Sequence, residues 1–348
     1  VAERSVSIVA NGPADDPWVW SGTLESLRAA FEELGLRAER LSADGPEPLH
    51  RVLSAMSAAV GRPPAAFSWA RPAMALRTRA LRDAPLGDLV LQLDTTFGLP
   101  RVDATYEDMT IAHLKGLPQP LRDPWMRRHA RTQHRARACF AASHWAKDSL
   151  VQDVGIPADK IHVVGMGANV VCEPRGPQDG PPRFLWIGVE WERKNGAAVV
   201  EAFSRLGVPG AELHLVGTHP RVDVAGVVGH GEIRDRARLR QIFESSTAFV
   251  MPSQVEPYGI VYCEAATAGV PSIGTIHGGA ADAIGAGGLL VDPDDPAQLL
   301  DAMRALADPA VRDPLAAAAV EHGRWTRWTG VAQRMLDVLD ADAPPPAR

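Results

Sequence analysis

Short apolar runs alternate with helix-length amphipathic stretches along this chain, and the rhythm starts afresh after a break dense in proline and glycine. In the first half, strand-like runs at 6–10, 88–93, 138–142 and 161–164 are separated by helical patterns that include 22–34 and 145–153. Residues 172–183 then read C-E-P-R-G-P-Q-D-G-P-P-R, a composition that breaks both helix and strand and suits a linker. Beyond it the alternation resumes, with strands at 183–187, 212–216, 224–228, 247–250, 272–274 and 288–291, and helices near 195–205, 237–244 and 296–306. Strand and helix in turn build a parallel sheet, because each strand must return to the same edge through a crossover. Two such halves predict an α/β chain of two Rossmann-like domains facing a cleft, over 1–172 and 173–325. A last segment, 326–348, carries on the string W-T-R-W-T-G-V-A-Q-R-M-L-D-V-L, which begins at Trp325 with apolar residues at helical spacing, and ends in A-D-A-P-P-P-A-R, which reads as disordered.

A length of 348 residues with 46% hydrophobic side chains is enough for two cores. No apolar run approaches the roughly 20 residues that span a bilayer, and no basic segment leads an apolar core as in a signal peptide, so a soluble, cytoplasmic protein is expected. Cys139, Cys172 and Cys263 have no paired short spacing and read as buried free thiols, not as a disulfide or zinc framework. A net charge of −6 argues against a general nucleic-acid binder. No G-x-G-x-x-G follows the first strand, which argues against a dehydrogenase. The most basic stretch is 122–137, R-D-P-W-M-R-R-H-A-R-T-Q-H-R-A-R, predicted as a helix beginning after Pro124. Its arginines form either a solvated face or, from Arg127 to Arg137, a weak peripheral contact with an anionic membrane or a phosphorylated acceptor.

The chemistry concentrates in 252–271, P-S-Q-V-E-P-Y-G-I-V-Y-C-E-A-A-T-A-G-V-P. A strand ending near Met251 followed by a helix entered near Tyr258 puts Gly259, Ile260 and Val261 in the first turn, where backbone N–H groups lack partners and suit an anion. Glu256 then precedes the helix and Glu264 lies about two turns along it, so one ligand meets both carboxylates while its phosphates face the helix start. A nucleotide-diphosphate sugar has that layout. Two solvated glutamates at the ends of an ordinary helix are the simpler reading of the pair alone.

The whole string resembles the E-x7-E signature of retaining glycosyltransferases of family 4 (glycosyl transferases group 1), with the P-S-x-x-E-x-x-G lead and the E-A-x-x-x-G-x-P tail. The resemblance implies the GT-B fold, with an N-terminal acceptor domain, a C-terminal nucleotide-sugar domain, and a terminal helix crossing back to the first domain. I-G-V-E-W-E-R-K-N-G, residues 187–196, resembles the family's G-R-x-x-x-x-K-G phosphate loop, with Gly188 and Lys194 correctly spaced; Val189 stands where the arginine is usual, and Arg193 can replace that cation. Composition adds to this, because the chain has four lysines against 32 arginines, and a compact ammonium suits a diphosphate as a point charge. F-A-A-S-H-W-A-K-D-S-L and G-I-P-A-D-K-I-H-V-V-G-M-G-A-N-V are similar to the stretch closing the family's N-terminal domain.

Weaker matches follow. G-H-G-E-I, 229–233, resembles the loop bracketing the nucleobase, through Gly231 and Ile233, or is a plain turn. T-I-H-G-G-A-A-D-A-I, 275–284, resembles the G-G loop beneath the sugar, with Gly278 and Gly279 allowing close backbone approach. In W-V-W-S-G-T-L, 18–24, Ser21 and Gly22 resemble the glycine loop facing the donor phosphates, though Ser21 is also a good N-cap. A-T-Y-E-D-M-T-I-A-H, 104–113, occupies the place where many relatives carry an active-site histidine; Asp108, preferred, or His113 fills that role, or the segment is a structural loop. Trp18, Trp20 and Trp125 serve either as acceptor platforms or in packing.

The resemblance therefore implies a retaining sugar transfer from a nucleotide-diphosphate sugar to a hydroxyl acceptor. Lys194, Arg193 and the helix N-terminus would stabilise the leaving phosphate without a metal or other cofactor, Glu256 would bond the transferred sugar and Glu264 the ribose. An epimerase or phosphorylase on the same scaffold, or a binder of nucleotide sugars without turnover, are the alternatives.

Overall fold

The computed structural model describes residues 4–12, 15–43, 71–95, 97–114, 119–174, 176 and 180–341. They divide into two compact units, residues 1–164 with 332–348, and residues 165–331.

The first unit holds a six-stranded parallel sheet in the order β2-β1-β3-β4-β5-β6. Its strands are β1 (Ser5–Ala10), β2 (Arg37–Ser42), β3 (Leu89–Gln92), β4 (Ala104–Glu107), β5 (Ala138–Ala141) and β6 (Ile161–Val163). Central strands are buried on both faces and read as unbroken apolar runs, as β5 does with A-C-F-A. The edge strand β2, R-A-E-R-L-S, buries only Ala38, and this polar edge is why no apolar run announces it. Its helices are α1 (Thr23–Glu33), α2 (Arg71–Ala80), α3 (Gln119–Arg135) and α4 (His144–Gln152). Ser143 caps α4, its hydroxyl accepting from the Ala146 N–H at 3.1 Å. The basic helix starts earlier than its sequence suggests, at Gln119, and carries Pro124 inside it, losing one backbone bond without ending the helix.

The second unit holds another six-stranded parallel sheet, ordered β12-β11-β10-β7-β8-β9. Its strands are β7 (Arg183–Gly188), β8 (Glu212–Gly217), β9 (Val227–Gly231), β10 (Ala248–Val250), β11 (Ser272–Thr275) and β12 (Gly288–Val291). Between them run α5 (Gly196–Ser204), α6 (Arg236–Glu244), α7 (Ile260–Thr267), α8 (Ala280–Ile284), α9 (Pro296–Ala307) and α10 (Pro309–Trp325). Asp295 caps α9 by accepting from the N–H groups of Ala297 and Gln298, with Pro296 in the first turn where its missing N–H does no harm. The alanine-rich α10, interrupted by Pro314 and Gly323, carries too weak a stripe to be read as one helix from sequence.

The last helix, α11 (Trp328–Ala341), divides between the units at Val331. From Ala332 onward it belongs to the first unit: the Arg334 guanidinium donates to the Val164 carbonyl at 2.7 Å, and Met335 and Leu339 pack with Val6, Phe31 and Leu89 over the sheet. The division between the units falls after Val164, ahead of the expected 172. Residues 165–172 are tied into the second unit, where the Glu264 carboxylate accepts from the Val170 N–H and the Thr267 hydroxyl from the Cys172 N–H. The proline-rich tail beyond 341 lies outside the described residues, as does part of the linker.

The sheet order sets where ligands bind. In each unit the chain builds outward from one strand and then reverses, so two neighbouring strands send their following loops in opposite directions and leave a crevice at their carboxyl ends. That switch lies between β1 and β3 in the first unit and between β7 and β10 in the second.

Candidate functional site

The second switch brings together the two most informative segments of the sequence. β7 is followed by residues 189–195, carrying Arg193 and Lys194, and β10 by residues 251–259, carrying Glu256. Arg193 Nη1 donates to the Val255 carbonyl at 2.9 Å and to Glu256 Oε2 at 3.4 Å, while its Nη2 pairs with Glu190 at 2.6 Å. Glu256 Oε2 also accepts from the Ser253 hydroxyl at 2.9 Å. Burial opposes the Arg193 charge, but Glu190 and Glu256 outweigh it and raise its pKa.

Lys194 is differently placed. Its side chain is 12% exposed; Nζ donates to the Met251 Sδ at 3.1 Å and stands 3.8 Å from Glu256 Oε2. A thioether is a weak acceptor, so a largely buried ammonium with three donors is left under-coordinated. Burial accordingly pushes its pKa down, with Glu256 opposing.

Glycines let the two loops close around these groups. A Cβ on Gly188 would stand 2.4 Å from Lys194 Cδ, so the lysine stem lies across that glycine. Gly278 has a φ of +96°, and a Cβ there would fall 2.1 Å from the Glu256 carbonyl oxygen. Glu256 and Gly278 form a parallel bridge, and the Gly279 N–H donates to that carbonyl at 2.9 Å. Gly278 and Gly279 thus fix the backbone of Glu256.

Gly259, with a left-handed φ of 89°, is the N-cap of α7 rather than part of its first turn. Ile260 and Val261 start the helix, and their N–H groups are among those with no partner inside it. Glu264 accordingly lies one turn along, not two. It is buried, and burial pushes its carboxyl up to about 7, although the backbone N–H of Val170 donates to it at 3.2 Å. Gly231 closes β9 with a φ of +67°, and Ile233 follows half-buried. β9 begins three residues later than predicted, at Val227, and its His230 Nε2 shares a hydrogen bond of 2.8 Å with His214 Nδ1 on β8.

In the first unit the expected residues scatter more. Trp20 and Ser21 both have a φ of 56°, and Gly22 follows with 86°, so the chain passes through three left-handed residues before α1. Gly22, not Ser21, is therefore the N-cap of α1, and no side chain caps it. Asp108 follows β4 half-buried. His113 ends a short 3-10 turn, its ring 4.3 Å from the Trp145 ring and its Nε2 3.6 Å from the Asp153 carboxylate, so it is held against α4. Trp125 is 7% exposed and belongs to packing, whereas Trp18 and Trp20 are exposed. Much of the basic helix is also spoken for: Arg122 donates to the Leu114 carbonyl, Arg128 to the Thr78 hydroxyl, Arg135 to the Pro100 carbonyl, and Arg137, just beyond the helix, to the Leu339 carbonyl. Arg127 and Arg131 are exposed.

Residues 181–308 match the family described as glycosyl transferases group 1. This stretch is a glycosyl transferases group 1 domain. It contains Gly188, Arg193, Lys194, Gly231, Ile233, Glu256, Gly259, Ile260, Val261, Glu264, Gly278 and Gly279; Ser21, Gly22, Asp108 and His113 lie outside it. The chain is 34% identical over 144 residues to a D-inositol 3-phosphate glycosyltransferase of Nocardioides sp., covering 40% of this chain and 29% of that protein. It is 31% identical over 194 residues to the glycogen synthase of Mycobacterium tuberculosis, covering 49% and 46%. The chain thus spans less than half the length of these relatives. Among solved structures it is similar to sucrose-phosphate synthase from Thermosynechococcus elongatus, with a TM-score of 0.66, 19% identity and coverage of 97% and 99%. It is also similar to Anabaena Alr3699/HepE in complex with UDP and glucose, with a TM-score of 0.64, 14% identity and coverage of 97% and 100%. The group 1 domain therefore sits in a chain with the GT-B fold. No helix among the described residues is long and apolar enough to cross a membrane.

Sequence reasoning missed the polar groups packed together in the first unit, the half-buried Glu107 with the buried Thr95, His129 and Gln133. His129 and Gln133 stand four apart on α3, a spacing that was open to view, but the surrounding arginines made the segment look like a solvated face.

Proposed function

We propose that this protein is a retaining glycosyltransferase that moves a sugar from a nucleotide-diphosphate sugar to a hydroxyl acceptor, without a metal. The observation that carries this reading is Lys194: a buried, under-coordinated ammonium at a switch crevice, with Arg193 beside it and the open N–H groups of α7 following the facing strand. A diphosphate supplies the strong acceptors that Met251 does not. Breaking the anomeric carbon–oxygen bond sends negative charge onto the leaving phosphate, and these donors stabilise it as it grows. Glu256, fixed by Ser253 and Gly279, accepts from hydroxyls of the transferred sugar. Glu264 accepts from the ribose. Front-face attack lets the departing phosphate take the acceptor proton, which gives retention and needs no separate base. The first unit carries the acceptor. The names of the relatives, all sugar transferases or synthases, and the UDP and glucose held by Alr3699/HepE support a nucleotide-sugar donor. The three buried free cysteines fit a reducing compartment such as the cytoplasm.

A thermal-shift screen of uridine, guanosine, adenosine and thymidine diphosphate sugars tests the reading, because a ligand that binds the fold raises its melting temperature. One nucleotide should stand out, with or without EDTA, and proton NMR of the product should show the donor's anomeric configuration. An inverted product would end the retaining assignment. No shift with any of the four, or a shift abolished by EDTA, would overturn the donor site or its metal independence respectively.

A further inference from the structure

A second polar cluster lies in the first unit, within and beside the 104–113 stretch but on residues given no role above. Its centre is Glu107, the last residue of β4. Gln133 Nε2 donates to Glu107 Oε1 at 3.0 Å, and the Thr105 hydroxyl donates to Gln133 Oε1, so the amide is fixed with its nitrogen toward the glutamate. From the same helix, His129 Nε2 stands 3.6 Å from that carboxyl oxygen, while His129 Nδ1 shares a 2.9 Å hydrogen bond with Thr95 Oγ1. His129 is 1% exposed, and its Nε2 has no hydrogen-bond partner among the described residues.

A cluster kept only for packing would have its atoms paired, since a buried polar atom without a partner costs about 1–3 kcal/mol. Here an imidazole nitrogen and a carboxyl lie just beyond hydrogen-bond distance. Among the described residues no arginine or lysine pairs with Glu107. The titratable groups around it are Asp108 on its own loop, His129 on α3 and Cys139 on β5. Burial and the Asp108 charge raise the Glu107 carboxyl well above the usual carboxylate range, and burial pushes His129 down to about 4. At neutral pH His129 is an uncharged imidazole, and it stands beside a carboxyl whose protonated form burial favours. A neutral carboxyl both donates and accepts, as a sugar hydroxyl does. It also sits at the carboxyl end of the sheet, on the strand next to β3 of the switch, where open α/β sheets bind ligands.

Resting on the glycosyltransferase reading, we propose that Glu107, held between Gln133 and His129, binds a substrate hydroxyl, with Gln133 and His129 as positioning residues. The hydroxyl belongs either to the transferred sugar or to the acceptor.

The test compares Glu107→Leu, which keeps the volume alone, with Glu107→Gln, which keeps a donor and an acceptor. The donor is the nucleotide sugar that most stabilises the wild type, and water and glycerol serve as probe acceptors. Glu107→Leu should lower kcat/KM by about 100-fold and Glu107→Gln by less than about tenfold, with unchanged circular dichroism. If the hydroxyl is the transferred sugar's, Glu107→Leu weakens binding of the nucleotide sugar and not of the nucleoside diphosphate. If it is the acceptor's, both bind as in the wild type and the KM for glycerol rises. Should Glu107→Leu fail to fold, pH decides: only the wild type can ionise at this position, so the ratio of Glu107→Gln to wild-type activity should rise as pH is taken above the usual carboxylate range. A folded Glu107→Leu within about threefold of wild type, or a ratio flat with pH, overturns the proposal. A wild type that binds no nucleotide sugar would instead overturn the glycosyltransferase reading.

Discussion

In the second unit the loops at the switch between β7 and β10 carry charges that pair across it, Arg193 and Lys194 from one side and Glu256 from the other, and left-handed backbone falls on Asn195, Gly259 and Gly278, residue types that tolerate it. In the first unit the loop after β1 takes its left-handed turn through Trp20 and Ser21 before Gly22, and burial favours the uncharged forms of Glu107 and His129 beside the switch. The same parallel sheet can thus present its crevice in two ways. A charged crevice with a glycine cradle is built for a fixed anion. A strained crevice whose described buried groups favour their neutral forms suits a neutral ligand, and strain of this kind gathers at functional sites.

The contrast is broken most forcefully at the charged site. Lys194→Ala should lower sugar transfer by about 100-fold to 1,000-fold, the scale for removing a donor aimed at growing charge, while leaving the fold intact. Steady-state release of nucleoside diphosphate reads this out, and a loss under about threefold would mean the ammonium is structural.

Gly278→Ala should come next. A Cβ 2.1 Å from the Glu256 carbonyl, on a residue with a φ of +96°, must push the Glu256 backbone away, at roughly 2 kcal/mol or more. Urea unfolding should report that loss, and transfer should fall with it.

A third effect depends on pH. The Glu264 carboxyl is raised from 4.5 to about 7 by burial, so below about 4.5 it is protonated in folded and unfolded chains alike and costs nothing. As pH rises through 7 the fold must carry a buried carboxylate, and the stability of the wild type relative to Glu264→Gln should decline over that range. Thermal denaturation of both proteins between these pH values checks the sign; a constant difference would show that Glu264 is not buried as described. If the carboxylate binds ribose, nucleotide affinity should rise over the same interval.

The smallest effect belongs to the first unit. Ser21→Gly should stabilise the protein by about 0.5–1 kcal/mol, because a glycine adopts a φ of 56° without strain. The melting temperature should therefore move up with Ser21→Gly and down with Gly278→Ala. If both move the same way, the strain assigned to the first loop is absent.

How much was legible follows the same division. The second unit's strands are apolar runs bounded by turns, and its site residues lie in two short strings whose spacing survives in the fold, so Lys194, Arg193 and Glu256 could be placed together before any coordinates. What stayed hidden there depends on other segments: that Glu264 accepts from the Val170 N–H, or that Gly278 fixes Glu256. In the first unit β2 is too polar to announce itself and α3 too basic to suggest a buried face. His129 is drawn inward by Thr95 and Glu107, partners 34 and 22 residues away in sequence, and no local pattern contains that information. The Ser21 cap failed for a related reason, since a good capping residue was displaced by a turn whose geometry Gly22 completes.

The central claim is that the crevice between β7 and β10 holds a nucleoside diphosphate through Lys194. Isothermal titration calorimetry of the best-binding nucleoside diphosphate against the wild type and Lys194→Met tests it most directly, because methionine keeps the stem across Gly188 and removes only the charge. Affinity should fall by about 30-fold or more with unchanged stability, the scale of one buried charge-assisted contact. Equal affinity in the two proteins would contradict the account.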